Sequence, residues 1–450
     1  MDRIFGTDGI RAQANTVVSP ELAIRLGRAV VSVLVEEGHR RPEVVVGRDP
    51  RWSGEMLEAA LVAGITSAGG TAVIAGVLPT PAIAHLTAST DAAAGAVISA
   101  SHNPVGDNGV KFFGGDGFKL SDAEEDRLEE LLHEDLGPRP VGTSIGRVVH
   151  VADAVGRYVE HVVASADRVS LDGLSIVVDC ANGAASQIGP QIYRHLGARV
   201  ISIFDAPDGS NINDGCGSTH PDVVQAAVRE HGADIGIAHD GDADRLICAD
   251  ATGAEVDGDV ILAVLAQDAH QRGALPGDAV ATTVMTNLGF HHAMSAQGID
   301  VVTTQVGDRY VLQAMREREL ALGGEQSGHL IALDHATTGD GILSAVQLLT
   351  TMARRDASLA DLAGVMTRLP QVLVNVADVD KARLDDADDV WEVVKDVEAG
   401  LDGSGRVLVR RSGTEQLVRV MVEAPTEQDA RSAADRIAAV VTDSLALEGA

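Results

Sequence analysis

From Ser19 onward, apolar residues recur at helical spacing, with Leu22, Leu26, Ala29, Val33 and Leu34 on one face before Gly38. Ser19 supplies an N-cap hydroxyl, Pro20 the first helical position and Glu21 an acidic first turn, so a helix is predicted there. The pattern then changes. Glu43-Val44-Val45-Val46-Gly47 is a short apolar run of the kind a buried strand needs, a second helical pattern starts near Ser53, and strand-like runs follow at 71–74 and 96–99. The same alternation returns at 174–178 and 200–203, and again at 279–284 and 300–304. Strand, helix and strand in repetition predict an α/β fold of three doubly wound α/β domains. After Pro370 the pattern shifts to strands with one final helix from about Thr426, which predicts a smaller C-terminal α+β domain.

Breaks at 137–153, rich in Gly, Pro and small residues, at 252–258 and at 369–371 divide the chain into expected domains 1–153, 154–254, 255–369 and 370–450. In doubly wound sheets, ligands collect where strands end and loops begin. The chemically unusual residues lie at such places: Ser101 follows the run at 96–99, Asp240 follows Ile235-Gly236-Ile237-Ala238, and Glu325 follows an apolar stretch ending at Leu322.

Composition narrows the function. The 450 residues can bury several cores, and 48 glycines with 2% aromatic residues suit short strands and alanine-rich helices better than a sandwich. A net charge of -31 opposes any encounter with nucleic acid or an anionic membrane surface. An anionic substrate would therefore need cations gathered locally. Cys180, Cys216 and Cys248 are odd in number and form no CxxC pair, so neither a disulfide framework nor a zinc knuckle is expected. The opening MDRIFGTDGIR has no basic-then-apolar leader, and no apolar stretch reaches the roughly 18 residues that span a bilayer. The expected location is cytoplasmic.

Asp240-Gly241-Asp242-Ala243-Asp244 places carboxylates at alternate positions, which an extended backbone would send to one face. Such a face repels itself without a hard cation, and magnesium suits a few carboxylates completed by phosphate oxygen or water. An EF-hand is excluded, because Arg245 and Ala251 stand where that loop needs Gly and Glu. Ser99-Ala100-Ser101-His102-Asn103-Pro104 lacks the elbow of an acyl-transfer serine. Phosphoryl transfer needs only a hydroxyl beside a metal and cations, for which Lys111, Arg11 and Arg245 are available. Gly323-Gly324-Glu325-Gln326-Ser327-Gly328-His329 combines groups that bond sugar hydroxyls or an amine, and Arg410-Arg411-Ser412-Gly413-Thr414-Glu415 with Arg419 carries the donors a phosphate needs.

Taken in order, Phe5-Gly6-Thr7-Asp8-Gly9-Ile10-Arg11, Ser101 to Pro104, Asp240 to Arg245, Glu325 to His329 and Arg410 to Glu415 resemble the α-D-phosphohexomutase superfamily over nearly the whole chain. Val306-Gly307-Asp308-Arg309-Tyr310 and the segments around Glu325 and Arg410 are more similar to its phosphoglucosamine mutase branch than to phosphomannomutases or phosphoglucomutases. The resemblance implies domains around a central cleft and a phosphoserine at Ser101. It implies one Mg2+ held by Asp240, Asp242, Asp244 and the phosphoryl oxygen of Ser101, with Arg245 as a cation nearby. Lys111, Arg11, His102 and His329 match positions near the reacting groups. Glu325, Ser327, Asp308 and Arg309 would meet the sugar, and Arg410, Ser412, Gly413, Thr414 and Arg419 the distal phosphate. The implied reaction interconverts glucosamine 6-phosphate and glucosamine 1-phosphate through a bound 1,6-bisphosphate, supplying UDP-N-acetylglucosamine and cell-wall synthesis. The implied partners are a small phosphosugar and a second copy of the chain as a homodimer, with no nucleic acid and no membrane. Gln416 and Gln305 depart from the common proline and lysine of the family, and Val105-Gly106 from bulkier residues. A metal-dependent sugar phosphatase and a non-catalytic sugar-phosphate binding protein remain alternatives. Release of free phosphate distinguishes the first, and an unphosphorylated Ser101 the second.

Overall fold

The computed structural model describes residues 3–6, 8–412 and 416–447. The chain divides into two compact units, Met1–Met285 with Gly298–Val365, and Thr286–Gln297 with Met366–Ala450.

The first unit holds three mixed sheets. In one, β1 (Ile10–Gln13), β2 (Glu43–Arg48), β3 (Thr71–Val77), β4 (Ala94–Ile98), β5 (Asp107–Gly114) and β6 (Val148–His150) lie in the order β1-β5-β4-β2-β3-β6. Helix Pro20–Glu36 starts as the sequence predicts, with the Ser19 hydroxyl accepting from the Leu22 amide at 3.3 Å. The second sheet contains β7 (Ser175–Asp179), β8 (Arg199–Ile203), β9 (Ile235–Ala238), β10 (Ile247–Asp250) and β11 (Glu255–Val256), ordered β11-β10-β9-β7-β8. The third contains β12 (Ala279–Thr283), β13 (Asp300–Thr304), β14 (Leu322–Gly324) and β15 (Leu330–Ala332), ordered β13-β12-β14-β15.

These sheets share one device. Each has a parallel core, formed by β4 on β2, β9 on β7 and β14 on β12. Each then turns antiparallel at β5, β10 and β15. The connection at that reversal carries Ser101 in the first sheet, Asp240 to Arg245 in the second and Glu325 to His329 in the third. The sheets are thus doubly wound α/β units, as the sequence pattern predicts, each with an antiparallel edge. A tight hairpin can follow a parallel strand only if the next strand runs back beside it.

β6 falls inside 137–153, a stretch that reads as a linker. All three of its residues are exposed, so no buried face marks it in the sequence. The second unit holds β16 (Gln371–Ala377), β17 (Arg406–Arg411) and β18 (Leu417–Glu423), antiparallel in the order β16-β18-β17. Helix Glu427–Ser444 is the expected final helix; helix Asp388–Leu401 is an addition to the predicted pattern. Val372, Val394, Val397, Val420 and Ile437 pack in this unit's core. Among the described residues no helix is long and apolar enough to cross a membrane.

Helices Thr80–Ser89 and Ala154–Ala164 meet through His85 and His161, whose rings stack with centroids 3.9 Å apart. His161 Nε2 lies 2.8 Å from the His335 carbonyl oxygen, to which it donates. Burial, the facing His161 and Arg157 bring His85 down to about 4, and burial also lowers His161. The unfolded chain therefore binds more protons between the ordinary histidine value and about 4, so stability is complete above that window and falls as pH drops through it. We expect a loss on the order of 1–2 kcal/mol across the window, reduced by solvent screening because both rings are half-buried. Thermal midpoints from pH 7.5 to 4 should show His161→Phe declining less steeply than the wild type. Parallel curves would remove the pair from the pH response.

Candidate active site

Three connections of the first unit meet around the aspartates. Asp240, Asp242 and Asp244 are 1%, 0% and 2% exposed, and one oxygen of each lies within 4.8 Å of the others. They are gathered by a turn and not by the extended alternation that the spacing suggests: Ala243 has a left-handed φ of 57°, and its amide donates to the Asp240 carbonyl at 3.1 Å. An extended run would have spread the carboxylates along a strand, whereas the turn folds them onto one point.

Ser101 opens its own turn at a left-handed φ of 50° and donates its hydroxyl to Asp240 Oδ2. His102 Nδ1 lies 3.3 Å from the same hydroxyl. Lys111, on β5 and 1% exposed, reaches Asp242 at 2.8 Å, Asp8 at 3.1 Å and Asp244 at 3.5 Å. Arg11, on β1, pairs with Asp8. The Arg245 amide donates to Asp240 Oδ1 at 3.2 Å, and its Nε stands 3.9 Å from Asp244. Eight of the expected residues, drawn from two sheets, are therefore brought together with Asp8.

The third connection adds His329, with Nδ1 3.6 Å from Asp244 and Nε2 3.3 Å from Asp308. Glu325 accepts from the Gly307 amide at 3.1 Å, and the Ser327 hydroxyl is buried without a hydrogen-bond partner. The connection is stapled to the aspartate loop, since the Leu246 amide donates to the Gly328 carbonyl at 2.9 Å. Gly328 has φ 88°, and a Cβ there would stand 2.1 Å from the Leu246 carbonyl oxygen, so no larger residue fits. Arg309 is placed differently from the others: its guanidinium pairs with Asp122, and with Glu125 at 2.9 Å.

Burial and mutual repulsion push Asp240 up to about 8. Burial acts the same way on Asp242 and Asp244, but Lys111 with Arg11, and Lys111 with His329, outweigh it and hold both below the usual carboxylate range. Burial, Arg245 and Arg11 lower His102 to about 4. Burial opposes charge on His329, yet Asp244 and Asp308 raise it above the ordinary histidine value. Glu325 is raised by burial. Asp242 Oδ1 and Asp244 Oδ1 are buried without a hydrogen-bond partner, so the donor set has oxygens to spare for a hard divalent cation.

Two further residues belong to the site. Thr80 donates its hydroxyl to Asp242 Oδ2 at 2.7 Å and its amide to the Asp242 carbonyl at 3.0 Å. The Lys119 side chain is 7% exposed and bridges Asp8 and Asp308. Neither stands out in the sequence, because a lone threonine after a proline and a lone lysine in a loop are ordinary surface residues until distant carboxylates are placed beside them.

In the second unit, Arg410 on β17 and Arg419 on β18 are directly paired across the ladder. Burial and the neighbouring Arg419 lower Arg410, the signature of two like charges held together. Ser412 follows, 3% exposed, and its amide donates to the Leu417 carbonyl at 3.0 Å. Gly413 and Thr414 lie outside the described residues.

The fold and this arrangement define a class. The phosphoglucomutase/phosphomannomutase family descriptions match in turn: alpha/beta/alpha domain I at residues 2–137, domain II at 156–253, domain III at 257–369 and the C-terminal domain at 373–440. The chain belongs to the phosphoglucomutase/phosphomannomutase family. It is 54% identical to the phosphoglucosamine mutase of Mycolicibacterium smegmatis, covering 100% of each chain, and 54% identical to that of Saccharopolyspora erythraea, covering 98% of this chain and 99% of the other. A phosphoglucomutase/phosphomannomutase family protein from Burkholderia thailandensis shares the fold, with a TM-score of 0.83 at 24% identity over 99% of this chain and 98% of that one.

Proposed function

We propose that this chain is a phosphoglucosamine mutase, an isomerase that interconverts glucosamine 6-phosphate and glucosamine 1-phosphate through a phosphoserine at Ser101 and a bound glucosamine 1,6-bisphosphate. The observation that carries the reading is the Ser101 hydroxyl held on Asp240 within a buried carboxylate triad, in a chain so similar end to end to phosphoglucosamine mutases. Asp240, Asp242 and Asp244 would hold Mg2+ with an oxygen of the Ser101 phosphate, and the ion would stabilise charge on the transferring group.

The chain's own residues supply the rest. A phosphoserine carries about -1.5 to -2, so with three carboxylates the site holds nearly -5, and one divalent ion still leaves about -3. Lys111, Arg11 and Arg245 answer that excess. The phosphorus–oxygen bond to Ser101 breaks as a bond to a sugar hydroxyl oxygen forms, and the hydroxyl's proton passes to a nearby base. His102, 3.3 Å from the Ser101 hydroxyl, and His329, 3.6 Å from Asp244, are assigned to proton handling. Glu325 and Ser327, with Asp308 and Arg309, would bind the sugar. The paired Arg410 and Arg419, with Ser412, Gly413 and Thr414, would hold the phosphate that is not reacting, since an anion relieves their repulsion. The domain divisions 1–153, 154–254, 255–369 and 370–450 give one loop to each task. The reading places the enzyme in the cytoplasm, supplying amino-sugar precursors of the cell wall, and includes a homodimer that light scattering would detect.

The sugar preference tests the substrate. A Glu325 carboxylate paired with a protonated 2-amino group is worth roughly 1.5–3 kcal/mol, on the order of ten- to a hundred-fold in selectivity. We expect kcat/KM for glucosamine 6-phosphate to exceed that for glucose or mannose 6-phosphate by this factor, and Glu325→Gln to narrow the gap. Equal efficiency for all three sugars would favour a general hexose phosphate mutase. Steady release of free phosphate in place of isomerisation would favour a phosphatase.

A further inference from the structure

The turn that carries Ser101 is held from beneath by a charged residue that none of the assigned roles uses. Arg51 is 0% exposed, although it follows Asp49-Pro50 just beyond β2 and is the largest fully buried side chain among the described residues. A guanidinium has five N–H donors in a rigid fork, and all of them are spent here. Nε donates to Asp49 Oδ2 at 2.9 Å. One terminal nitrogen donates to the carbonyls of Ser101 at 2.9 Å and Asn103 at 2.8 Å, and the other to those of Asp107 at 3.1 Å and of Pro104. Four carbonyls between Ser101 and Asp107 thus point at one cation.

Two more contacts tie the same carbonyls to the aspartate module. Asn213 Nδ2 donates to the Ser101 carbonyl at 2.9 Å and to the Asn103 carbonyl at 3.1 Å. A Cβ on Gly241, inside the aspartate loop, would stand 2.6 Å from the Ser101 carbonyl oxygen, so backbone meets backbone there. On the other side of the turn, Asp49 accepts from the Ser99 hydroxyl at 2.7 Å, and Ser99 accepts in turn from the Ser101 amide at 2.9 Å. Both peptide groups flanking the Ser101 side chain are therefore pinned, the amide through Asp49 and the carbonyl through Arg51 and Asn213. A serine held at φ 50° needs such support, because a left-handed backbone is costly for a residue with a Cβ.

We propose that Arg51 and Asn213 are positioning residues for phosphoryl transfer, which clamp the strained Ser101 turn from two modules so that its side chain stays aimed at the aspartate triad. The proposal rests on the covalent reading given above. It predicts an effect on kcat and not on KM, because the clamp touches the backbone beneath the phosphoserine and no part of the sugar. A loosened turn would also let water take the phosphoryl group: the bond to Ser101 Oγ breaks, water oxygen bonds to phosphorus, a proton of that water passes to Oγ to restore the hydroxyl, and inorganic phosphate leaves.

The test uses the full-length, phosphorylated enzyme with glucosamine 6-phosphate, measuring kcat, KM and free phosphate released per turnover. Arg51→Lys keeps the charge but loses the fork, and misplacement of a reacting group by about 1 Å costs on the order of 100-fold. A fall in kcat of that order is expected, with KM unchanged and more phosphate released per turnover. Asn213→Ala, at a half-buried position, should lower kcat by about tenfold in the same pattern, the effect of losing a pair of hydrogen bonds. Wild-type kcat and phosphate release in both variants would overturn the clamp, even with a lowered melting temperature. If Arg51→Lys does not fold, Asn213→Ala decides alone. Turnover in Ser101→Ala would overturn the covalent reading and the clamp with it, whereas inert Ser101→Ala beside two fully active clamp variants would overturn the clamp only.

Discussion

Ser101→Ala is expected to take up no phosphoryl group and to lose kcat by on the order of 10⁴-fold or more, as enzymes do when the group that carries a covalent intermediate is removed. The geometry makes the loss specific. Ser101 directs its hydroxyl at the carboxylate triad, donating to Asp240 from a buried position. The fold should survive, since alanine adopts the same left-handed backbone at similar cost and the carbonyl contacts of Arg51 and Asn213 do not involve the side chain. Intact mass and peptide mapping of wild type and variant, with rates in both directions, decide the matter. Full activity in the alanine variant would sink the covalent mechanism.

Much of this site was legible before any coordinate. Ser101, Asp240, Asp242 and Asp244 stand where strands end, and the helix behind Ser19 starts at the residue its cap signals predict. Those features are local: a cap, a strand end and a short carboxylate motif are written in consecutive residues. The carboxylate turn was legible in content but not in shape, because nothing in Asp-Gly-Asp-Ala-Asp announces that Ala243 takes a left-handed φ in place of an extended one.

What the sequence withheld is long-range. Thr80 meets Asp242 across 162 residues, and Lys119 meets Asp308 across 189. Each is unremarkable until tertiary structure supplies its partner. Arg51 shows the same limit from the other side, for a charged residue is a poor guess for the interior until the carbonyls that satisfy it are in place. Helix Asp388–Leu401 is a different case. Its apolar residues Val390, Val393, Val394 and Val397 do recur at helical spacing and are buried, so the periodicity was present and a strand-rich neighbourhood obscured it.

The acidic chain and its anionic substrate are reconciled by distance. A net charge of -31 is spread over a surface where salt screens charges more than about 8–10 Å apart. Lys111 and His329 are buried beside the triad, where screening is weaker and each cation counts for more. Such a site gathers its cations at close range while the exterior keeps the excess negative charge that favours solubility.

That balance makes Asp242 the most revealing carboxylate to remove. It accepts from Lys111 at 2.8 Å and from Thr80 at 2.7 Å through Oδ2, while Oδ1 is buried without a hydrogen-bond partner. The partnered oxygen holds protein, and the spare one is the kind of donor a divalent cation takes. Asp242→Ala should therefore lower turnover by on the order of 10³-fold or more, as expected when charge stabilisation and positioning are lost together. Lys111 still has Asp8 and Asp244 within reach, so its charge stays paired and circular dichroism should be close to that of the wild type. Chelation of the wild type should abolish turnover, and added Mg2+ should restore it. The variant should neither recover with Mg2+ nor show the heat of Mg2+ binding that calorimetry detects in the wild type. Undiminished activity after thorough chelation would refute the metal assignment, and normal Mg2+ binding by Asp242→Ala would remove this carboxylate from the ligand set.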